Sequence, residues 1–246
     1  PTRILRLPLP RLTTCASAMS PSDPPPALRR VPPERPGRTI VGMSAVLLPY
    51  TAAGAIDWPA VEAHIGRTVD AGLTPAVNMD TGYVQLLSEA DQTRVLDLAR
   101  SVTGGRFVAG AFVADDEGAA FDLAAYVRAA AAISERGGTP VIFPSHGLNG
   151  HGDDGWVSSL QALGEELDEY IGFELGPMFV PYGRIPSLDA YRALVDIPAC
   201  TGAKHSSLSR QLEWDRLALR DAVRPEFRVF TGNDLAIDMV RYGSDY

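Results

Sequence analysis

From Thr39 onward the chain repeats one pattern: a short, almost continuous apolar run, a polar loop, then a longer stretch with apolar residues at helical spacing. Residues 40–48 form the first apolar run, which ends at Pro49. Asp57 stands where it can cap a helix with Trp58 and Pro59 in the first turn, and Val61, Ile65 and Val69 carry that helix to a stop at Gly72. Residues 74–79 read as a second strand, and Ser88 with Asp91 has the S-x-x-D form of a helix start leading into Val95, Leu96 and Leu98. A third strand at 107–113 precedes an alanine-rich helix over 119–136 that closes on Gly137 and Gly138. The alternation continues with strands at 140–143, 170–175, 195–203 and 227–230. Between and after them come helices at 156–168, from Ser187, at 208–223 and at 235–242.

These are seven strand–helix units of roughly 30 residues, the size of a βα repeat with its crossover. Apolar strands each followed by a helix mean a parallel sheet covered by helices. A closed (β/α)8 barrel and an open doubly wound sheet both fit this order. No glycine-rich phosphate loop follows the first strand, which weakens the dinucleotide-binding version. Polar residues gather instead just after the strands, at Asp80 and Thr81, Ser145 and His146, Lys204 and His205, and Asn233 and Asp234. In a barrel these would share the mouth where barrel active sites lie. The fold expected is therefore an α/β (β/α)8 TIM barrel, truncated before strand 8, because the sequence ends at Tyr246 where an eighth strand should begin.

Charge divides the chain in two. Residues 1–38 hold seven arginines against Asp23 and Glu34, a balance of +5 that leaves −13 for residues 39–246. The proline- and arginine-rich segment 1–38 is expected to be a disordered extension and 39–246 the barrel domain. An acidic body argues against nucleic-acid binding. No apolar run approaches the roughly 18 residues of a membrane span, and the head lacks the apolar core of a secretory signal. Two cysteines, Cys15 and Cys200, are too few for a disulfide framework, so a reduced, cytoplasmic setting is expected.

Lys204 is the single lysine in 246 residues; the other 21 strongly basic side chains are arginine. A lone surface lysine in an arginine-biased chain would account for the count. A lysine at the end of an apolar strand can also do what arginine cannot, losing its proton and attacking a carbonyl to form a Schiff base.

Its surroundings resemble a known family. Val41 and Gly42 through Leu48, Pro49 and Tyr50, then Gly54, Ile56 and Asp57, are similar to the opening strand and G-x-I-D helix start of the dihydrodipicolinate synthase and N-acetylneuraminate lyase family. Asp80, Thr81, Gly82 and Tyr83, followed by Leu87, Ser88 and Glu89, sit where that family has its threonine–threonine–glycine–glutamate turn before L-S-x-x-E. Thr201 to Ser207 around Lys204 resembles its Schiff-base strand, and Phe230 to Asp234 its seventh-strand G-x-D turn. The resemblance runs from about residue 40 to the end. It implies a class I lyase or aldolase in which Lys204 attacks a pyruvate-like 2-keto acid without a cofactor, in a tetramer or other homo-oligomer.

The departures bear on the residues around the lysine. Asp80 replaces the family's first threonine and Tyr83 its glutamate. Aligned on Pro177, Glu174 takes the place of the proton-relaying tyrosine, with Tyr182 farther along the loop. Glu174 or Tyr182 is accordingly expected as general acid–base. Thr81 with the backbone of Gly82 would hold the substrate carboxylate, and Asp80, Tyr83 and Asn233 would complete the binding site. His205 follows Lys204 and should face the helices. His146, His151, Asp153 and Asp154 have no recognised ligand spacing; their glycine-rich loop is expected to be a lid, with no metal. The alternative function is a catalytically inactive barrel of the same fold that binds a small ligand.

Overall fold

A computed structural model describes residues Val31–Tyr246. Residues 1–30 of the expected extension, with Cys15, lie outside the described residues. Within 31–38, Glu34 pairs with Arg241, Arg35 with Asp221, and Arg38 with Asp245 at 2.8 Å, so contacts with the barrel begin before residue 39.

Seven parallel strands pair in sequence order. β1 (Met43–Ala45) leads to α1 (Trp58–Asp70), where Asp57 accepts the Ala60 N–H at 3.1 Å as the expected cap. β2 (Thr74–Val77) and α2 (Glu89–Thr103), capped by Ser88, follow. Then come β3 (Val108–Ala111), α3 (Leu123–Ser134) and β4 (Thr139–Ile142). The segment after β4 is helical, as α4 (His146–Asn149) and α5 (Gly152–Glu166), rather than the expected lid loop. Asp115 fixes the start of α4 by accepting the N–H groups of His146 and Gly147 at 2.8 and 2.7 Å, and Asp153 pairs with Arg184. The chain then forms β5 (Tyr170–Leu175), α6 (Leu188–Val195), β6 (Cys200–Ser206), α7 (Arg210–Val223) and β7 (Arg228–Thr231).

Alternation along the strands sorts the side chains into two cores. Between sheet and helices lie Ala109, Tyr170, Ala203 and Val229, packed on helix residues such as Ile65, Ile133, Leu160 and Leu217. Inside the curl lie Ala76, Val108, Val141, Ile171, Phe173 and Phe230. A parallel sheet with both faces buried explains the near-continuous apolar runs in the sequence.

After β7 the expected α-helix is a 3-10 helix, Asp234–Tyr242, interrupted at Ala236, whose φ of −133° is not helical. The chain then returns to run parallel to β7, with Asp245 bridged to Phe230. Residues 244–246 then lie between β7 and β1. Thr231 N–H donates to Asp245 O at 2.9 Å and Asp245 N–H to Val229 O at 2.7 Å on one side; Tyr246 N–H donates to Val41 O at 3.0 Å on the other. The eighth-strand position is thus where the sequence placed it, and these three residues link the two edges of the seven-stranded sheet.

The Asp245 side chain reinforces the seam, accepting from Val41 N–H, Arg38 and Arg228 at 3.0, 2.8 and 3.1 Å. From α7, Glu213 accepts the Ser244 and Thr231 hydroxyls at 2.5 and 3.1 Å. Replacing Asp245 with alanine leaves the part-buried Val41 N–H and Arg228 without this acceptor and leaves Arg38 only the Val240 carbonyl. Urea unfolding of Asp245→Ala is expected to show a loss of about 2–4 kcal/mol.

Candidate active site

On β6, Gly202, Lys204 and Ser206 alternate with Ala203 and His205, and the register pairs Phe173 with Lys204 and Glu174 with His205. Lys204 therefore points into the barrel, where it lines a cavity of about 340 Å³ with Asp80, Thr81, Ser206, Asp234 and Tyr246. The walls below are apolar, from Ala76, Val108, Val141 and Ile171. Lys204 keeps 25% of its side-chain surface accessible, and its Nζ lies 4.5 Å from the centre of the Phe173 ring. Burial pushes its pKa below the usual 10.5, opposed in part by the carboxylates of Asp80 and Asp234. Gly232 makes room for it: a Cβ there would stand 2.1 Å from Ser206 Oγ and 2.9 Å from Lys204 Cε.

Asp80 begins a 3-10 turn, Asp80–Gly82, directly after β2. Its Oδ1 lies 3.8 Å from Lys204 Nζ, an ion pair beyond hydrogen-bond range. The turn is fixed by Gly82 N–H donating to Met79 O and Tyr83 N–H to Asp80 O, both at 3.0 Å. Tyr83 closes it in the left-handed region at φ 57°, and Asn78 upstream, at φ 50°, donates to Gln92 O on α2. Because Met79 takes the Gly82 N–H, the carboxylate-binding role expected for that backbone group does not fit. Thr81 does line the cavity. Tyr83 is half exposed and not part of the wall.

Glu174 requires a correction. It faces the helices, on the side of β5 opposite Phe173, and is fully buried there. Its carboxylate binds His205 Nδ1 at 2.8 Å and Arg216 at 2.6 to 2.9 Å, while His205 Nε2 meets Ser207 Oγ at 2.8 Å. Burial would raise its pKa, but His205 and Arg216 outweigh that and hold it below the usual carboxylate range. A locked carboxylate on the wrong face of the strand cannot serve Lys204. His205 faces the helices as alternation predicts.

Tyr182 lies in a second cleft, of about 360 Å³, with Glu117, His146, Asn149 and His151, where its ring packs 4.7 Å from that of His146. Burial raises its phenol pKa. Asn233 is a cap: its Oδ1 accepts Leu235 N–H at 3.0 Å, and the side chain is not part of the cavity wall. Sequence reasoning missed Tyr246, which enters the Lys204 cavity from the eighth-strand position and donates its hydroxyl to Asp234. Among the described residues no group of three or more histidine, cysteine or acidic side chains is arranged to hold a metal ion.

Glu174→Gln is expected to destabilise the fold by about 3–5 kcal/mol, because Arg216 is left buried without its counter-ion. The sign with pH follows from the lowered pKa. The Glu174 contribution is complete above its unfolded value near 4.5 and is lost as pH falls through the folded value. Acid unfolding of the variant should therefore lack part of the native protein's stability loss below pH 4.5.

No family model matches the chain, and no curated protein sequence matches it either. Solved structures do. A pyruvate-complexed dihydrodipicolinate synthase from Acinetobacter baumannii is 20% identical, with a TM-score of 0.65 over 84% of this chain and 68% of that one. The dihydrodipicolinate synthase of Aquifex aeolicus is 17% identical, with a TM-score of 0.63 over 84% and 68%. A 2-keto-3-deoxygluconate aldolase variant from Sulfolobus solfataricus, in complex with L-2-keto-3-deoxygalactonate, is 17% identical, with a TM-score of 0.62 over 84% and 66%. The chain thus has the fold of the dihydrodipicolinate synthases and related aldolases, as a barrel of seven strand–helix units.

Proposed function

We propose that this chain is a class I lyase or aldolase that forms a Schiff base between Lys204 and a pyruvate-like 2-keto acid. The observation that carries the reading is the setting of Lys204, the chain's single lysine. It projects from β6 into a cavity open to solvent at one end, and burial against its apolar walls lowers the lysine pKa. A neutral amine in such a place attacks a ketone, and the resulting iminium draws electrons from the adjacent carbon, so that a carbon–carbon or carbon–oxygen bond beyond it can be made or broken. The Acinetobacter structure with the same fold is complexed with pyruvate, which supports a small 2-keto acid as the electrophile.

The keto acid's carboxylate would take hydroxyl bonds from Thr81 and Ser206, which flank Lys204 on the cavity wall. Apolar surface around the reacting carbon would strengthen the attraction between the iminium and nearby carboxylates.

Incubation with pyruvate and borohydride, followed by peptide mapping, is expected to place a reduced pyruvyl group on Lys204. Labelling should rise with pH and level off around a midpoint below 10.5, the direction that burial imposes. A folded Lys204→Arg variant should take no label. Label confined to the N-terminal amine, or absent across a panel of 2-keto acids, would contradict the proposal.

A further inference from the structure

Condensation of an amine with a ketone needs protons moved at three points: off the ammonium, onto the departing hydroxyl, and off the adjacent carbon. Among the described residues, the ionisable groups on the wall of the Lys204 cavity are Lys204 itself, Asp80, Asp234 and Tyr246. Glu174 is on the other face of β5, and Tyr182 lines a different cleft. Tyr246 and Asp234 are committed to each other by their hydrogen bond. Asp80 is not committed. Its side chain keeps 30% of its surface accessible, but its Oδ1 is closed to solvent and has no hydrogen-bond partner, only the ion pair with Lys204 Nζ at 3.8 Å. An unpaired buried carboxylate oxygen is costly, and a site that keeps one holds an acceptor in readiness.

We propose that Asp80 is the proton shuttle of the Lys204 site; the inference rests on the Schiff-base reading above. The Asp80 carboxylate takes a proton from the Lys204 ammonium, leaving a neutral amine and a carboxylic acid. The Nζ lone pair bonds to the ketone carbon and the C=O π pair moves to oxygen; Asp80 gives its proton to that oxygen and takes one from nitrogen, leaving a neutral carbinolamine and a carboxylic acid. Where Lys204 starts neutral, the carboxylate carries the nitrogen proton to oxygen in the same way. Asp80 then gives its proton to the hydroxyl; the C–O bond breaks, water leaves, and the nitrogen lone pair forms the protonated imine. The regenerated carboxylate removes a proton from the adjacent carbon, giving the enamine. One keto acid and one lysine ammonium become one iminium and one water, with charge conserved.

The turn suits this work, since the two backbone hydrogen bonds from Gly82 and Tyr83 hold Asp80 at the end of β2. Its charged neighbours are few. Lys204 faces it from β6, Tyr182 is within electrostatic reach from the loop after β5, and Asp234 acts on Lys204 from the turn after β7.

The test is the rate of iminium formation with pyruvate, read by borohydride labelling of Lys204 across pH in the native chain, Asp80→Asn and Asp80→Ala, each shown to be folded by circular dichroism. At the high-pH plateau, where Lys204 is neutral throughout, Asp80→Asn should be slower by about 100-fold or more, and added formate should restore part of the rate to Asp80→Ala. Asp80→Glu, which keeps the carboxylate should the other variants not fold, should retain the larger part of the native rate. A plateau in Asp80→Asn within about threefold of native, with the profile merely moved to lower pH, would overturn the shuttle, because loss of a neighbouring charge alone predicts that shift. Collapse of the rate in Asp80→Glu would overturn it as well. Absence of label on Lys204 in the native chain would instead overturn the Schiff-base reading on which the shuttle depends.

Discussion

The register between β5 and β6 decides the chemistry of this barrel. Phe173 opposite Lys204 and Glu174 opposite His205 set an apolar ring and an amine on the inner face, and a carboxylate and an imidazole on the outer one. A slip of one residue would turn every side chain of the strand that slips to its other face. A slip of β5 would put Glu174 in the cavity, and a slip of β6 would drive Lys204 into the layer already filled by Arg216. The buried pairing of Glu174 with Arg216 and His205 therefore resists such a slip. Those ionic groups specify which way the strand faces, and the inner cavity is free to depress the lysine.

A second constraint is the seam between β7 and β1. Residues 244–246 satisfy backbone groups on both flanking strands, while Asp245 and Ser244 engage arginines and Glu213 outside the cavity. Tyr246 projects inward from the same three residues and fixes Asp234. Closure and cavity composition are linked here: the segment that joins the sheet edges also supplies part of the wall. Of the two carboxylates near Lys204, one is restrained by this phenol and the other, Asp80, has an oxygen without a hydrogen-bond partner.

Much of this was legible in the sequence, since the fold is written in local patterns. The helix starts at Asp57, Ser88 and Ser187 cap as their residue types require, and seven apolar runs became seven parallel strands. Lys204 stood out by its singularity. The error at Glu174 came from aligning on Pro177, a spacing argument, where alternation from the apolar Phe173 would have turned the glutamate outward as it did His205. Asn233 was read as binding substrate, yet an asparagine ahead of a helical turn is first a cap. Tyr246 had no local signal, because its place beside Asp234 depends on the return of the chain across β7. The loop after β4 looked mobile for its glycines, but Asp115, 31 residues before His146, turns it into a helix start.

The central claim is that the barrel presents Lys204 as an amine more readily deprotonated than a solvated lysine. With one lysine in the chain, selective isotopic labelling gives an NMR signal that needs no assignment, and its titration reports this group alone. The account predicts a midpoint below 10.5 in the folded protein, moving lower still when Asp80 is replaced by asparagine. A midpoint at or above 10.5 would place Lys204 among ordinary ion-paired lysines and contradict the account.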